Sequence, residues 1–262
     1  MRILGVGMGP QHVTPEVSAA LRGCDYVIAA QKADDDGLLS ARRVIAAAHG
    51  VEVVTVPDPA RDRDPSTTAT SSDYGVAVRD WHAARVDAYA EVLRQRGGTA
   101  AFLVWGDPSL YDSTIRIVES LAEQWTAHHP GADPLPADHH SLEYDVLPGI
   151  SAPQLLAARH RIVLHRVGQP VHITTARRLR DDIDAGQHNL VVMLTGTLDL
   201  TGLDDWSIWW GANLGTDSEE LVAGRVVDVA DGIAQARTRA KEQAGWVMDV
   251  YLLRSPATVS PS

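Results

Sequence analysis

The sequence predicts an α/β protein made of two domains, and three observations support this prediction. Over the first 125 residues, short apolar runs alternate with amphipathic stretches of helical periodicity. Several of the apolar runs end in glycine-containing turns, as strands of a parallel sheet do before a helix. An irregular segment at 126–143 then interrupts the pattern, which resumes after it. We therefore expect an N-terminal domain over 1–125, a connecting insert over 126–143 and a C-terminal domain over 144–254.

The elements of the first half follow in order from this pattern. The chain opens on an apolar strand that ends in glycine, and Thr14 followed by Pro15 is typical of a helix N-cap and first turn. A helix is expected over 38–48, and a polar loop follows over 57–72. A second, longer helix is expected over 75–96, where two glycines end it. Strands are expected at 2–7, 25–30, 51–56 and 99–105, which together predict a mostly parallel sheet covered by helices.

The second half shows the same kinds of signal in a less regular order. Short runs rich in Val, Leu, Ile and Trp indicate strands, and two amphipathic stretches indicate helices. Strands are expected at 144–147, 171–175, 190–195, 206–210 and 246–253, and helices over 152–159 and 229–243.

Composition and charge narrow the class of protein. Of the 262 residues, 45% are hydrophobic and 22% are charged, as in ordinary globular proteins. The 34 acidic residues outnumber the 23 basic ones, and the net charge of −11 disfavours nucleic-acid binding, which depends on neutralising phosphates. Cys24 is the single cysteine, so an internal disulfide is excluded. No signal-peptide pattern and no long apolar run is present, so we expect a cytoplasmic protein without a membrane partner.

The glycine-rich start, Gly5–Pro10, invites comparison with dinucleotide-binding loops. Its spacing is G-x-G-x-G, whereas the dinucleotide pattern requires G-x-G-x-x-G and an acidic residue after the next strand. Here Gln31 follows that strand, and neither a Walker motif nor a G-x-S-x-G nucleophile motif occurs. The start is therefore interpreted as a strand-to-loop turn that needs flexible backbone.

Two further turns also connect a strand to a helix. Gly106–Tyr111 follows a buried strand and precedes a helix, and Pro148–Ala152 does so in the second half. Parallel sheets place their ligand loops at such strand ends. Asp107 supplies a carboxylate at one of them, and the alternative interpretation is that this aspartate caps the next helix.

In this order, the three turns resemble the tetrapyrrole methylase family. Further matching segments lie at 190–194 and 211–220. The resemblance implies two α/β domains with the active site in the cleft between them, and it implies no metal. It also implies S-adenosylmethionine (SAM) as methyl donor, with S-adenosylhomocysteine as product. The cofactor-binding residues that it implies, many through their backbone, are Trp105, Gly106, Asp107, Leu110, Ser151, Ala152, Leu194 and Leu214.

Within the family, the chain is most similar to members that methylate a corrin precursor. The segments that indicate this are 58–63, 81–85, 143–151, 165–175 and 210–215. They imply precorrin-5 as substrate, methylation at ring carbon C-1 and release of acetate. Because that substrate is rich in carboxylates, an acidic protein must gather cations locally. The substrate-binding candidates are Lys32, Arg61, Arg63, Arg85 and Tyr111.

Several alternatives stay open at this level. Each candidate arginine is equally well interpreted as a surface charge or as part of an internal ion pair. Gln31–Ala33 departs from the acidic residue, lysine and glycine expected there, which puts the role of Lys32 in question. Acetate release needs a general base, for which His82 and Asp107 are the candidates.

Other functions compatible with the resemblance are methylation of another precorrin carbon, methylation of a protein or RNA, and non-catalytic binding of SAM or a tetrapyrrole. The resemblance is also compatible with a homodimer.

Overall fold

The computed structural model describes residues 1–31, 37–59, 71–127 and 142–256, with the backbone alone for 71–79. The chain divides into two compact units, Met1–Ile150 and Ser151–Ser262. Each unit contains one five-stranded sheet. The two units are described separately.

The sheet of the first unit is entirely parallel, which confirms the arrangement predicted for this half. Its strand order is β3-β2-β4-β1-β5. The strands are Arg2–Gly5 (β1), Tyr26–Gln31 (β2), Glu52–Pro57 (β3), Ala100–Val104 (β4) and Asp145–Leu147 (β5).

Helices cover both faces of this sheet. They are Pro15–Arg22 (α1), Gly37–Ala48 (α2), Ser71–Arg96 (α3) and Thr114–Ala127 (α4), with a short 3₁₀ helix at Pro10–His12. The Thr14 hydroxyl accepts a hydrogen bond from the Val17 N–H at 3.2 Å, so the predicted N-cap of α1 is present. One apolar cluster lies between the sheet and α3 and α4, and a second lies between the sheet and α1 and α2.

Strand β5 corrects the predicted domain boundary. Residues 144–150 were expected to open the second domain, but β5 pairs in parallel with β1 through Ile3 and Val146. The first unit therefore continues to Ile150, and the second begins at Ser151. Most of the expected insert, residues 128–141, lies outside the described residues.

The second unit has a mixed sheet in the order β6-β7-β10-β8-β9. Strands β6 and β7 are parallel, and the other neighbours are antiparallel. The strands are His172–Thr175 (β6), Asn189–Met193 (β7), Ser207–Ala212 (β8), Glu220–Arg225 (β9) and Asp249–Arg254 (β10). The helices are Ala152–His160 (α5), Leu179–Asp184 (α6) and Val226–Ala244 (α7).

The core of this unit lies between the sheet and α7. Trp210 and Tyr251 are fully buried there beside Ile233 and Ala236 of the helix. No strand was predicted at β9, whose residues alternate between half-buried and exposed and whose ends are charged. Among the described residues, no helix is long and apolar enough to cross a membrane.

Candidate active site

The glycine turns of the first unit lie next to one another at the carboxyl ends of the sheet strands. Strands β4, β1 and β5 are parallel neighbours, so their carboxyl ends lie side by side. The Gly106 N–H donates to the Gly7 carbonyl at 2.7 Å, and the Gly7 N–H donates to the Gly106 carbonyl at 3.2 Å. A Cβ atom on Gly149 would lie 2.2 Å from the Gly106 oxygen and 2.6 Å from the carbonyl carbon of Gly5. The glycines therefore allow three backbone segments to pack against one another.

Asp107 joins two of these turns. One carboxylate oxygen accepts hydrogen bonds from the Ser109 N–H at 2.9 Å and from the Ser109 hydroxyl, and the other accepts from the Gly149 N–H at 3.0 Å. Burial by itself would raise the pKa of Asp107, but the bonds from the Ser109 hydroxyl, the Gly149 N–H and the Ser109 N–H outweigh it and lower the pKa. The ionised side chain therefore ties the Gly106 turn to the Pro148–Gly149 turn. Near the start of α4 it is Asp112, and not Asp107, whose carboxylate accepts from the N–H of the first helical residue, Thr114, at 2.7 Å.

The rest of the Gly106 turn places the other predicted residues nearby. The Leu110 N–H donates to the Asp107 carbonyl at 3.3 Å. Tyr111 has a left-handed backbone with φ of 52° and is exposed. The indole N–H of Trp105 is buried and has no acceptor among the described residues. This turn therefore contains a half-buried Trp105, whose indole N–H is covered, and an exposed Tyr111.

Arg85 is held inside the unit by an ion pair. Its Nε donates to a carboxylate oxygen of Asp58 at 2.8 Å, and its Nη2 lies 2.7 Å from the same oxygen. Both side chains are largely buried, at 13% and 11% exposed. The guanidinium also lies 4.0 Å from the ring centre of Trp81, and that ring is 5.2 Å from the ring of His82. Asp58 directly follows β3, so this ion pair lies, like the glycine turns, at the carboxyl ends of the strands.

Other candidates fall outside what the structure describes. Lys32, Arg61 and Arg63 are not among the described residues. Within the described ranges, no group of three or more His, Cys, Asp and Glu side chains could hold a metal ion.

In the second unit, Ser151 caps α5. Its hydroxyl accepts from the Gln154 N–H at 3.4 Å, and its own N–H donates to the Gln154 side chain at 2.8 Å, so the two residues form a capping box. Ser151 is buried, and Ala152 is the first helical residue. The hydroxyl is therefore engaged in helix capping.

Leu194 and Leu214 occupy two unusual turns. Leu194, directly after β7, has a left-handed backbone with φ of 54° and is 58% exposed. Leu214 is 1% exposed, and its side chain covers Gly211, where a Cβ atom would lie 2.7 Å from it. Leu194 can contact a ligand through its side chain, whereas the side chain of Leu214 is buried.

Asn213 fixes the second of these turns, and no sequence signal had singled out its role. It is buried with φ of 47°, a conformation that Asn tolerates better than most residues. Its amide donates to the Ser218 hydroxyl at 3.0 Å and to the Ala240 and Trp246 carbonyls at 3.3 and 3.2 Å. Its side-chain oxygen accepts from the Met248 N–H at 2.9 Å. The motif around Gly211 belonged to the predicted resemblance, but its buried hydrogen bonds are visible only in the tertiary structure.

Comparison with known proteins agrees with this geometry. A family model described as Tetrapyrrole (Corrin/Porphyrin) Methylases matches residues 2–230. The chain therefore belongs to the tetrapyrrole methylase family. The predicted family, α/β fold class and methyltransferase class are confirmed.

Individual relatives are similar over nearly the whole chain. A precorrin-6A synthase (deacetylating) from a Sinorhizobium species is 39% identical over 264 residues, which cover 97% of this chain and 95% of that protein. A crystal structure of a cobalamin synthesis related protein from Corynebacterium diphtheriae is 34% identical, covers 97% of both chains and has a TM-score of 0.76. A cobalt precorrin-4 methyltransferase is 16% identical, with a TM-score of 0.63 and coverage of 97% of this chain and 93% of that one, and shows the fold alone.

Proposed function

We propose that the protein is a precorrin-6A synthase of the deacetylating type. It transfers the methyl group of SAM to ring carbon C-1 of precorrin-5 and releases the ring's acetyl group as acetate, which leaves precorrin-6A and S-adenosylhomocysteine. The observation that carries this proposal is the 39% identity to a precorrin-6A synthase over 97% of the chain.

The interlocked turns suit the cofactor chemistry. SAM supplies an electrophilic methyl group on a sulfonium, so the protein must mainly hold two reactants in line and keep water away. A rigid backbone can hold the reactants in position without a reactive side chain. In this proposal the SAM-binding residues are those that the resemblance implies, namely Trp105, Gly106, Asp107, Leu110, Ser151, Ala152, Leu194 and Leu214.

The structure favours His82 over Asp107 as the general base for acetate release. The Asp107 carboxylate already accepts three hydrogen bonds, and they lower its pKa, which weakens it as a base. His82 is half-buried beside Trp81, on the helix that also contributes Arg85. We therefore assign Asp107 the role of holding the turns and propose His82 as the residue that activates water.

Arg85 is proposed to act on the substrate site indirectly. Its charge is already matched by Asp58, and Asp58 lies directly before the segment that contains Arg61 and Arg63. The ion pair fixes the point where that segment leaves β3. Lys32, Arg61 and Arg63, with Tyr111, are left to meet the carboxylates of precorrin-5.

The deciding experiment is an anaerobic incubation with freshly generated precorrin-5 and methyl-labelled SAM, in which product mass and free acetate are followed together. We expect label in the ring and one acetate per methyl transferred. Label without acetate would refute the deacetylating role, and label only with a different precorrin would reassign the methylated carbon. If SAM binds but no label is transferred to any precorrin, the protein is a carrier and the proposal is wrong.

A further inference from the structure

The loop that follows β7 starts from an energetically unfavourable conformation. Leu194 is left-handed at φ of 54°, which costs free energy for a residue with a Cβ atom unless its surroundings enforce it. Its side chain is mostly exposed, so packing around that side chain does not enforce it. A cavity of about 720 Å³ also lies between the loop at 196–204 and α7. Something other than close packing must therefore fix the start of this loop.

Arg237 of α7 supplies that restraint. Its Nη2 donates to the Gly196 carbonyl at 2.9 Å and to the Thr195 carbonyl at 3.3 Å, the carbonyls of the two residues that follow Leu194. Its Nε donates to a carboxylate oxygen of Asp249 at 3.1 Å. The planar guanidinium thus bridges a carboxylate on β10 and the loop after β7, a geometry that lysine cannot reproduce.

Asp249, which anchors Arg237, is buried and hydrogen-bonded. Its side chain is 1% exposed, and the oxygen that meets Arg237 also accepts from the indole N–H of Trp210 at 3.1 Å. Because the indole and the guanidinium both donate to the same buried oxygen, Arg237 is held against Asp249 before any ligand arrives.

The same network reaches the other predicted cofactor segment of this unit. Asp249 follows Met248, whose N–H donates to the Asn213 side chain at 2.9 Å and whose carbonyl accepts from the Asn213 N–H at 2.9 Å. Asn213 directly precedes Leu214. The backbones next to Leu194 and Leu214 are therefore both fixed around the first residues of β10.

We propose that Arg237 is a positioning residue for SAM binding, which holds the peptides after Leu194 in the conformation that the cofactor requires. This inference rests on the proposed function, which places Leu194 and Leu214 at the SAM site. In this role Arg237 acts on SAM through the loop after Leu194.

The test compares substitutions of two arginines on the same helix. Arg237→Gln removes the bridge. Arg239→Gln is the matched control, because Arg239 also pairs with a carboxylate, Glu220 at 2.9 Å, but bonds to no carbonyl of the loop. Arg237→Lys keeps a cation beside Asp249 but cannot serve both carbonyls as well. For each purified protein, SAM affinity is measured by calorimetry, the SAM and precorrin-5 KM values and kcat by turnover, and stability by urea unfolding.

We expect Arg237→Gln to weaken SAM affinity about tenfold, since it removes hydrogen bonds from a charged donor. At saturating SAM, kcat and the KM for precorrin-5 should stay near the wild-type values. Arg239→Gln should leave SAM affinity within about twofold. Arg237→Lys should recover most of the stability but not the SAM affinity, and this variant remains informative if Arg237→Gln does not fold.

Two results would overturn the inference. If Arg237→Lys restores SAM affinity fully, the role of Arg237 is only to neutralise Asp249. If both Gln variants weaken SAM affinity equally, the effect comes from general destabilisation. Failure of the wild-type protein to bind SAM would contradict the proposed function itself, so the two failures are distinguishable.

Discussion

Replacing Gly149 by Ala tests directly whether the three glycine turns form one rigid unit. The new Cβ atom would lie 2.2 Å from the Gly106 oxygen and 2.7 Å from the Gly5 oxygen, whereas real Cβ contacts essentially never fall below 3.0 Å. Both neighbours are backbone atoms at the ends of paired strands, so neither can move without disturbing the sheet edge. The Pro148–Gly149 turn must therefore shift outward by most of an ångström.

The shift has two costs. Overpacking in a tightly packed region costs about 1–3 kcal/mol. Losing the hydrogen bond from the Gly149 N–H to the Asp107 carboxylate, now 3.0 Å long, costs roughly 1.5–3 kcal/mol more. We therefore expect Gly149→Ala to lower the free energy of unfolding by about 3–5 kcal/mol and the melting temperature by roughly 10 °C. SAM affinity should fall with them.

Urea unfolding, thermal melting and SAM titration check this prediction. Gly232→Ala on α7 is the control, because a Cβ atom there meets nothing within 4 Å. An alanine inside a helix should be stabilising by up to about 1 kcal/mol. Wild-type stability and SAM affinity in Gly149→Ala would refute the idea that the turns interlock.

The remaining predictions concern two carboxylates. Because hydrogen bonds lower the pKa of Asp107 in the folded protein, its contribution is present above the ordinary carboxyl pKa of about 4 and is lost as the pH falls through the lowered value. Asp107→Asn should therefore lower the free energy of unfolding by about 1–3 kcal/mol at pH 7, and in urea unfolding the difference between wild type and variant should shrink below pH 4. A difference that does not change with pH would contradict the assignment. For Asp58 and Arg85, a double-mutant cycle in unfolding free energy should give roughly 1–2 kcal/mol of coupling, against less than 1 kcal/mol for the exposed Arg96–Glu52 pair. Equal coupling free energies for the two pairs would show that the buried Asp58–Arg85 ion pair is no stronger than an exposed one.

The sequence alone determined the elements whose signals are local. Apolar runs bounded by glycine predicted the strands of the first sheet, and Thr14 with Pro15 predicted the start of α1. The three turns indicated the family, because their order along the chain is itself a pattern. Their residues also share one sheet edge, as the carboxyl ends of neighbouring parallel strands must.

Only the tertiary structure decided which partners these residues have. Strand β5 is short and mostly exposed, so its sequence does not say that it pairs with β1 and belongs to the first unit. Arg85 has the appearance of a substrate-binding cation until Asp58 is seen beside it, and Arg237 that of a surface charge until its two carbonyl partners are seen. The physical reason is that strand pairing and charge pairing are set by neighbours distant along the chain, whereas helix caps, turns and strand ends are set by residues next to one another.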